Sequence, residues 1–364
     1  MISFAPTEEQ QMIVDSVKDF AREQLRPIFQ EADEKGELPA DLIQTGWGLG
    51  LVPANIPEEY GGFASEHSAV TGALWAEELA WGDLATAMYL TAPMSVALPI
   101  LLGGTEQQKQ EYLPRFCGDQ FIPATAALIE PTLLYDPVDL RTTATKDGDV
   151  YLLNGVKAYV PLAADAAMML VWAKEGDKTQ GFLVDLGAAG ITIGEREKSM
   201  GMKALPTYKV TLKDVHVSPQ CKLGGPEGCD FPRILNYSRV ALAAMAVGVA
   251  KAAYEYALEY AKERETFGQP IGTRQAIAFM LAEMCTDIDG ARLLVWDAAW
   301  RLDQGMDATR EARLAKTFSD EMALMCGDRA VQILGGSGYI RDVPVELWLR
   351  NARSFAVLDG LGMV

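Results

Sequence analysis

The sequence predicts an α+β protein in three consecutive parts: an N-terminal α-helical domain (1–120), a middle β-barrel or sandwich domain (121–228) and a C-terminal four-helix bundle (229–364). Three observations carry this. Apolar residues recur at spacings of three and four before Phe121 and again after Pro232. Between those points the segments are short, rich in Val, Leu, Ile, Thr and Tyr, and cut by Asp147-Gly148 and Asn154-Gly155, both hairpin dipeptides. No repeat or low-complexity linker separates the parts, so they are expected to pack as one body. A chain of 364 residues is long enough for two or three units sharing a large core.

The first helix opens on a capping box, Thr7 with Gln10, and places Ile13, Val14, Val17, Phe20, Ala21 and Leu25 on one face until Pro27 disturbs the pattern. Pro39 suits the first turn of a second helix, and Thr105 with Gln108 opens another that runs towards Pro114. The nearly uncharged run from Leu84 to Gly103 has the length of a membrane span, but Pro93 and Pro99 interrupt it and amphipathic segments flank it, so a buried helix is expected. Strands are expected at 150–153, 157–160, 168–173, 181–184, 191–193 and 208–212. Long helices are expected at 240–264, 275–301 and 311–334, their apolar stripes led by Val247, Met284 and Met322.

With 49% hydrophobic and 23% charged residues the composition is that of an ordinary globular protein. A formal charge of -18 argues against nucleic acid or an anionic membrane surface as a partner, because phosphate-rich surfaces need a basic face. Five scattered cysteines without a Cys-x-x-Cys pair suggest reduced thiols in a cytoplasmic protein. Two histidines, His67 and His216, leave no set from which to build a His-based metal site, and none is expected.

Three spaced motifs then resemble the acyl-CoA dehydrogenase family over nearly the whole chain. Asp149-Val150-Tyr151-Leu152-Leu153-Asn154-Gly155-Val156-Lys157 resembles its hairpin, Arg264-Glu265-Thr266-Phe267-Gly268-Gln269-Pro270-Ile271 its Arg-x-x-Phe-Gly-x-Pro-Ile signature, and Gln332-Ile333-Leu334-Gly335-Gly336-Ser337-Gly338-Tyr339 its Gln-x-Leu-Gly-Gly-x-Gly-Tyr turn. The resemblance implies FAD as cofactor, an acyl-CoA substrate, electron-transferring flavoprotein as oxidant, and a homo- or hetero-tetramer. It assigns Arg264, Phe267, Gln275, Gln332, Gly335 and Gly336 to the ADP half of FAD, across a subunit interface. The chemistry suits that role: an arginine fork can clamp a pyrophosphate, and glycines let backbone approach a ligand. Singly, a Gly-Gly pair is equally the stop of a helix and Arg264 a surface ion-pair residue; together they carry the cofactor reading.

For the substrate, the resemblance points to Asn236-Tyr237-Ser238-Arg239, where Asn236 stands for the family's Asp. Arg239 is a candidate acyl-CoA contact or, equally open, the buried partner of a carboxylate. The family's catalytic Glu corresponds to Asp359, one methylene shorter, followed by Gly360; its backbone N–H would polarise the thioester carbonyl. Around the expected flavin ring the pattern departs from the family: Ile129 replaces a hydroxyl residue before Glu130, Tyr135 falls in the substituted loop, and Tyr159-Val160-Pro161 replaces Trp-Ile-Thr. Such clustering leaves three readings: an active dehydrogenase with Asp359 as base, a diverged partner subunit of a heteromeric dehydrogenase, or a flavin oxidase of a small carbon acid, since nitroalkane oxidases of this superfamily use Asp here.

Overall fold

A computed structural model describes residues 5–364. Thr7 and Gln10 close their capping box at the start of α1 (Glu8–Phe20), and the helix continues through a π-helical turn at 21–25. Two short helices follow, α2 (Phe29–Lys35) and α3 (Ala40–Trp47). The apolar run at 84–103 divides in two. After α4 (Ala69–Gly82), α5 (Leu84–Thr91) and α6 (Met94–Gly103) meet at a 46° bend next to Pro93, and both are buried. Proline at that point cannot supply the amide that would carry one helix through. The capping box of Thr105 and Gln108 starts α7 (Glu106–Tyr112) as expected.

Seven strands form the middle of the chain: β1 (Ala124–Ala127), β2 (Thr143–Asp147), β3 (Val150–Pro161), β4 (Met168–Glu175), β5 (Lys178–Asp185), β6 (Ile191–Arg196) and β7 (Thr207–Val217). They pair in the order β1-β4-β2-β3-β7-β6, with β5 on β4. Asp147-Gly148 is the hairpin turn between β2 and β3, with Gly148 at φ 58°. Asn154-Gly155 is not a turn, contrary to expectation. It lies inside the single strand β3, at a register shift against β7, where a Cβ on Gly155 would come within 2.4 Å of Thr142 Oγ1. This glycine marks a bulge and a close approach rather than a reversal.

The helical core is α8 (Phe231–Glu263), α9 (Gln275–Asp303) and α10 (Thr309–Leu334), followed by α11 (Val345–Ser354). Among the described residues α8 is long and apolar enough to cross a membrane, as is the bent α5–α6 pair taken as one span, but 78% of the apolar window of α8 is buried inside the protein, as in a core helix. Its N-terminal end meets the sheet where the Phe231 and Trp172 rings approach to 4.7 Å. One large apolar cluster runs from the N-terminal helices through α8 to α11 and one face of the sheet, and a second fills the sheet around Tyr151, Met169, Phe182 and Val215. The seam between sheet and bundle is where the loop after β1, the N-terminal parts of α8 and α10, and the last residues of the chain converge.

Candidate active site at the seam between sheet and bundle

A cavity of about 690 Å³ opens at that seam, a volume within the range of small-molecule sites. Ile129, Tyr135, Tyr159, Arg239 and Asp359, all singled out in the sequence, line it. The sheet side is rigidly built. Glu130 accepts hydrogen bonds from Lys157 Nζ (2.9 Å), Thr142 N (2.8 Å) and Arg141 N (2.7 Å), and Lys157 Nζ also donates to the Leu128 carbonyl (3.0 Å). Burial alone would raise the Glu130 pKa, but Lys157 and the donors around it outweigh that and hold it below the usual carboxylate range. The loop carrying Ile129 is thereby pinned to β3. Further along β3 a second register shift, between Lys157 and Val160, leaves Tyr159 at φ 54° with its amide on Glu197 (3.0 Å) and its side chain in the cavity wall. A tyrosine in that region is strained, and such strain persists where surrounding structure enforces it.

On the helical side Asp359 follows a 3₁₀ turn at 355–357. Its Oδ2 is 3.6 Å from Arg239 Nη2, and its Oδ1 is buried with no hydrogen-bond partner. Burial raises the Asp359 pKa; Arg239, Lys316 and the Gly360 amide oppose the rise. Tyr135, whose hydroxyl is likewise buried and unpartnered, faces the same space, and burial pushes its pKa far up. Two buried polar atoms without partners so close to a cavity are costly to the fold.

Gly360 does not line the cavity. It positions Asp359: at φ 70° a Cβ there would lie 2.2 Å from Leu128 Cδ2, so only glycine lets the terminal segment close against the loop after β1. Asn236 is buried, donates to Thr309 Oγ1 (3.1 Å) and joins α8 to α10 away from the cavity wall. Pro161 is buried at the end of β3, paired with Thr207. The structure therefore brings together the side chains of Ile129, Tyr135, Tyr159, Arg239 and Asp359, but not those of Asn236, Pro161 and Gly360. It also adds Arg313, Lys316 and Thr317 from α10, which sequence reading missed; their spacing reads as an exposed helix face, and only the tertiary arrangement turns it inward.

Arg264, Phe267, Gln275, Gln332, Gly335 and Gly336 lie elsewhere, exposed, at the C-terminal ends of α8 and α10 and the N-terminal end of α9. The three helices run antiparallel through short connections, which puts these termini at one end of the bundle, where Arg329 of α10 pairs with Glu283 of α9. Phe267 is 98% exposed at φ 52°, at the tip of a hairpin formed by Glu265–Thr266 and Gln269–Pro270. Gly335 takes a glycine-only conformation (φ 59°, ψ -133°), and neither it nor Gly336 has an atom within 4 Å of where a Cβ would sit. This open glycine turn, at the same end of the bundle as Arg264, suits an anionic ligand. It is far from the cavity: Arg239 and Arg264 are separated by about 25 residues of α8, roughly 37 Å along its axis at the α-helical rise.

Comparison with known proteins decides the family. The acyl-CoA dehydrogenase N-terminal, middle and C-terminal domain models match residues 7–120, 125–215 and 231–362. Probable acyl-CoA dehydrogenase YngJ of Bacillus subtilis is 37% identical over 99% of this chain and 96% of its own length. The chain belongs to the acyl-CoA dehydrogenase family. It is an FAD-dependent oxidoreductase that acts on acyl-CoA. A second relative, the caffeyl-CoA reductase-Etf complex subunit CarC of Acetobacterium woodii, is 35% identical over 98% of this chain and 96% of its own. Among solved structures, butyryl-CoA dehydrogenase of Megasphaera elsdenii superposes with a TM-score of 0.90 at 32% identity, covering 100% of this chain and 96% of that one. The residues fit the family's cofactor in two separate pieces: the cavity, with its unsatisfied polar atoms, and the distant glycine cradle.

Proposed function

We propose that Asp359 is the base that removes the α-proton of an acyl-CoA thioester bound in the cavity between the loop after β1 and α10. The observation that carries the reading is the Asp359 carboxylate itself, set in the cavity wall with its Oδ2 3.6 Å from Arg239 Nη2. An α-proton is weakly acidic, so the base must be basic and must stay ionised near neutral pH. Burial supplies the first property and Arg239 the second. The Asp359 amide has no acceptor among the described residues and offers a donor to the thioester carbonyl, so that charge developing on that oxygen meets a fixed dipole. Apolar Ile129 and the aromatic Tyr159 and Tyr135 wall the cavity and exclude water from it. FAD, when bound, would supply the hydride acceptor for the β-carbon.

The site is completed by a second chain. A cofactor whose reactive end meets Asp359 cannot also reach an Arg264 roughly 37 Å away on the same helix, so Arg264, Phe267, Gln275, Gln332, Gly335 and Gly336 serve the ADP half of a neighbour's FAD. Exposed apolar side chains on α9 and α10, among them Phe279, Leu293, Trp300, Leu314 and Phe318, supply surface for such an assembly, of the tetramer size expected for the family. The electron acceptor is an electron-transferring flavoprotein, in keeping with the name of the A. woodii relative. Anaerobic mixing of the FAD-loaded protein with a series of acyl-CoA thioesters tests the base. Wild type bleaches the flavin with at least one of them, and Asp359→Asn slows that step by about a thousandfold or more; bleaching at the wild-type rate would remove Asp359 from the mechanism.

A further inference from the structure

Behind Asp359 lies a second buried carboxylate that the reaction does not need. Asp320, on α10, hydrogen-bonds through Oδ2 to Lys316 Nζ, while its Oδ1 is buried without a partner. The same Lys316 ammonium donates to the Phe355 carbonyl (2.8 Å), the first residue of the turn that delivers Asp359, and lines the cavity with it. Lys316 is therefore a tie between α10 and the segment bearing the base, and Asp320 is what holds the tie in place. We propose that the Asp320–Lys316 pair is a positioning device for Asp359, seating the turn that carries it and setting the pH at which its carboxylate becomes free to take a proton; this rests on the reading of Asp359 as base.

The charges converge from every element around the pair. Arg239 comes from α8; Arg313, Lys316 and Glu321 from α10 itself; Tyr135 and the Lys157-neutralised Glu130 from the loop after β1; and Asp359 from the terminal segment. Burial pushes Asp320 up to about 6, against the pull of Lys316 and with a push from Asp359. Above that pH the carboxylate cancels the lysine, and Asp359 sees little net charge from the pair. Below it Asp320 is neutral, and the uncompensated ammonium favours ionised Asp359. With Asp320 ionised the pair thus lets the base titrate at a higher pH than a lone ammonium would, while Lys316 holds the turn.

The signs make this testable. Asp320→Asn leaves a permanent cation beside Asp359 and should lower the pH at which it ionises by about one unit; Lys316→Gln removes that cation and should raise it by a similar amount. The primary reading is the pH titration of the Asp359 carboxyl stretch in infrared difference spectra of the FAD-loaded protein, assigned by its loss in Asp359→Asn. The acid limb of flavin reduction, with butyryl-CoA as probe, should move the same way. Asp320→Glu should restore the wild-type midpoint, which a merely structural role would not require. If Lys316→Gln fails to fold, Asp320→Asn and Asp320→Ser carry the test alone. Unmoved midpoints, or shifts of one sign in both variants, overturn the pair's role. Wild-type flavin reduction by Asp359→Asn would instead overturn the assignment of the base, whatever the infrared midpoints do.

Discussion

Lys157 is completely buried, its partners among the described residues being Glu130 and a backbone carbonyl, and it shows how one residue holds the cavity wall. Two charges removed from water cost several kcal/mol each, which their attraction and the added amide bonds to Glu130 offset. Removing one partner strands the other. Lys157→Met is expected to lower stability by about 3–5 kcal/mol, read as a fall in the urea midpoint, whereas adding Glu130→Gln should recover much of the loss. A double variant no more stable than the single would show that the ion pair is not what couples the two positions. Local motifs made Lys157, Asp359 and Arg239 legible in the sequence. Nothing local pointed to Lys316 or Asp320, because a Lys and an Asp four apart on a helix usually form a solvated surface pair; here the segment at 355–359 folds over them.

At the level of elements, what was readable followed from period and punctuation. The two capping boxes and the apolar stripes of α9 and α10 placed those helices close to their observed bounds, and that of α8 placed its end, but α8 begins at Phe231 rather than at the expected Val240. β1 escaped because all four of its residues are buried and it shows no alternation. Asn154-Gly155 misled because a hairpin dipeptide and a bulge use the same glycine freedom. A close helix crossing is also invisible to periodicity. Gly248 of α8 abuts α4 so tightly that a Cβ would lie 2.1 Å from the Glu77 carbonyl oxygen. Around it Glu77 takes three hydrogen bonds from Arg292 of α9, and Glu78 binds Lys251 of α8. Gly248→Ala gains about 1 kcal/mol in helix propensity, but the obstacle is backbone, and overpacking costs about 1–3 kcal/mol or more. The steric term should win, so the variant is expected to melt below wild type; an equal or higher melting temperature would mean that the two helices separate freely.

For the whole molecule, the length of α8 decides how chains must cooperate. The proposed base and the glycine cradle sit towards opposite ends of one helix, so on the proposed function each reaction centre would draw Asp359 from one chain and Arg264 from another. This arrangement makes a prediction that no single-chain site shares. Asp359→Asn should load FAD and fail to react; Arg264→Gln should fold but bind FAD weakly, since a charge-assisted clamp on the pyrophosphate is lost. Co-expressed under two affinity tags and purified through both, the two variants should form hybrids that bleach on acyl-CoA. In such a hybrid the Asp359 of the Arg264→Gln chain faces the intact clamp of its Asp359→Asn neighbour, so one class of site is whole, while the other carries both defects. Doubly tagged hybrids that stay as inactive as either parent would show that both residues act within one chain, and the roughly 37 Å separation along α8 would then have to be bridged by some route other than a shared cofactor.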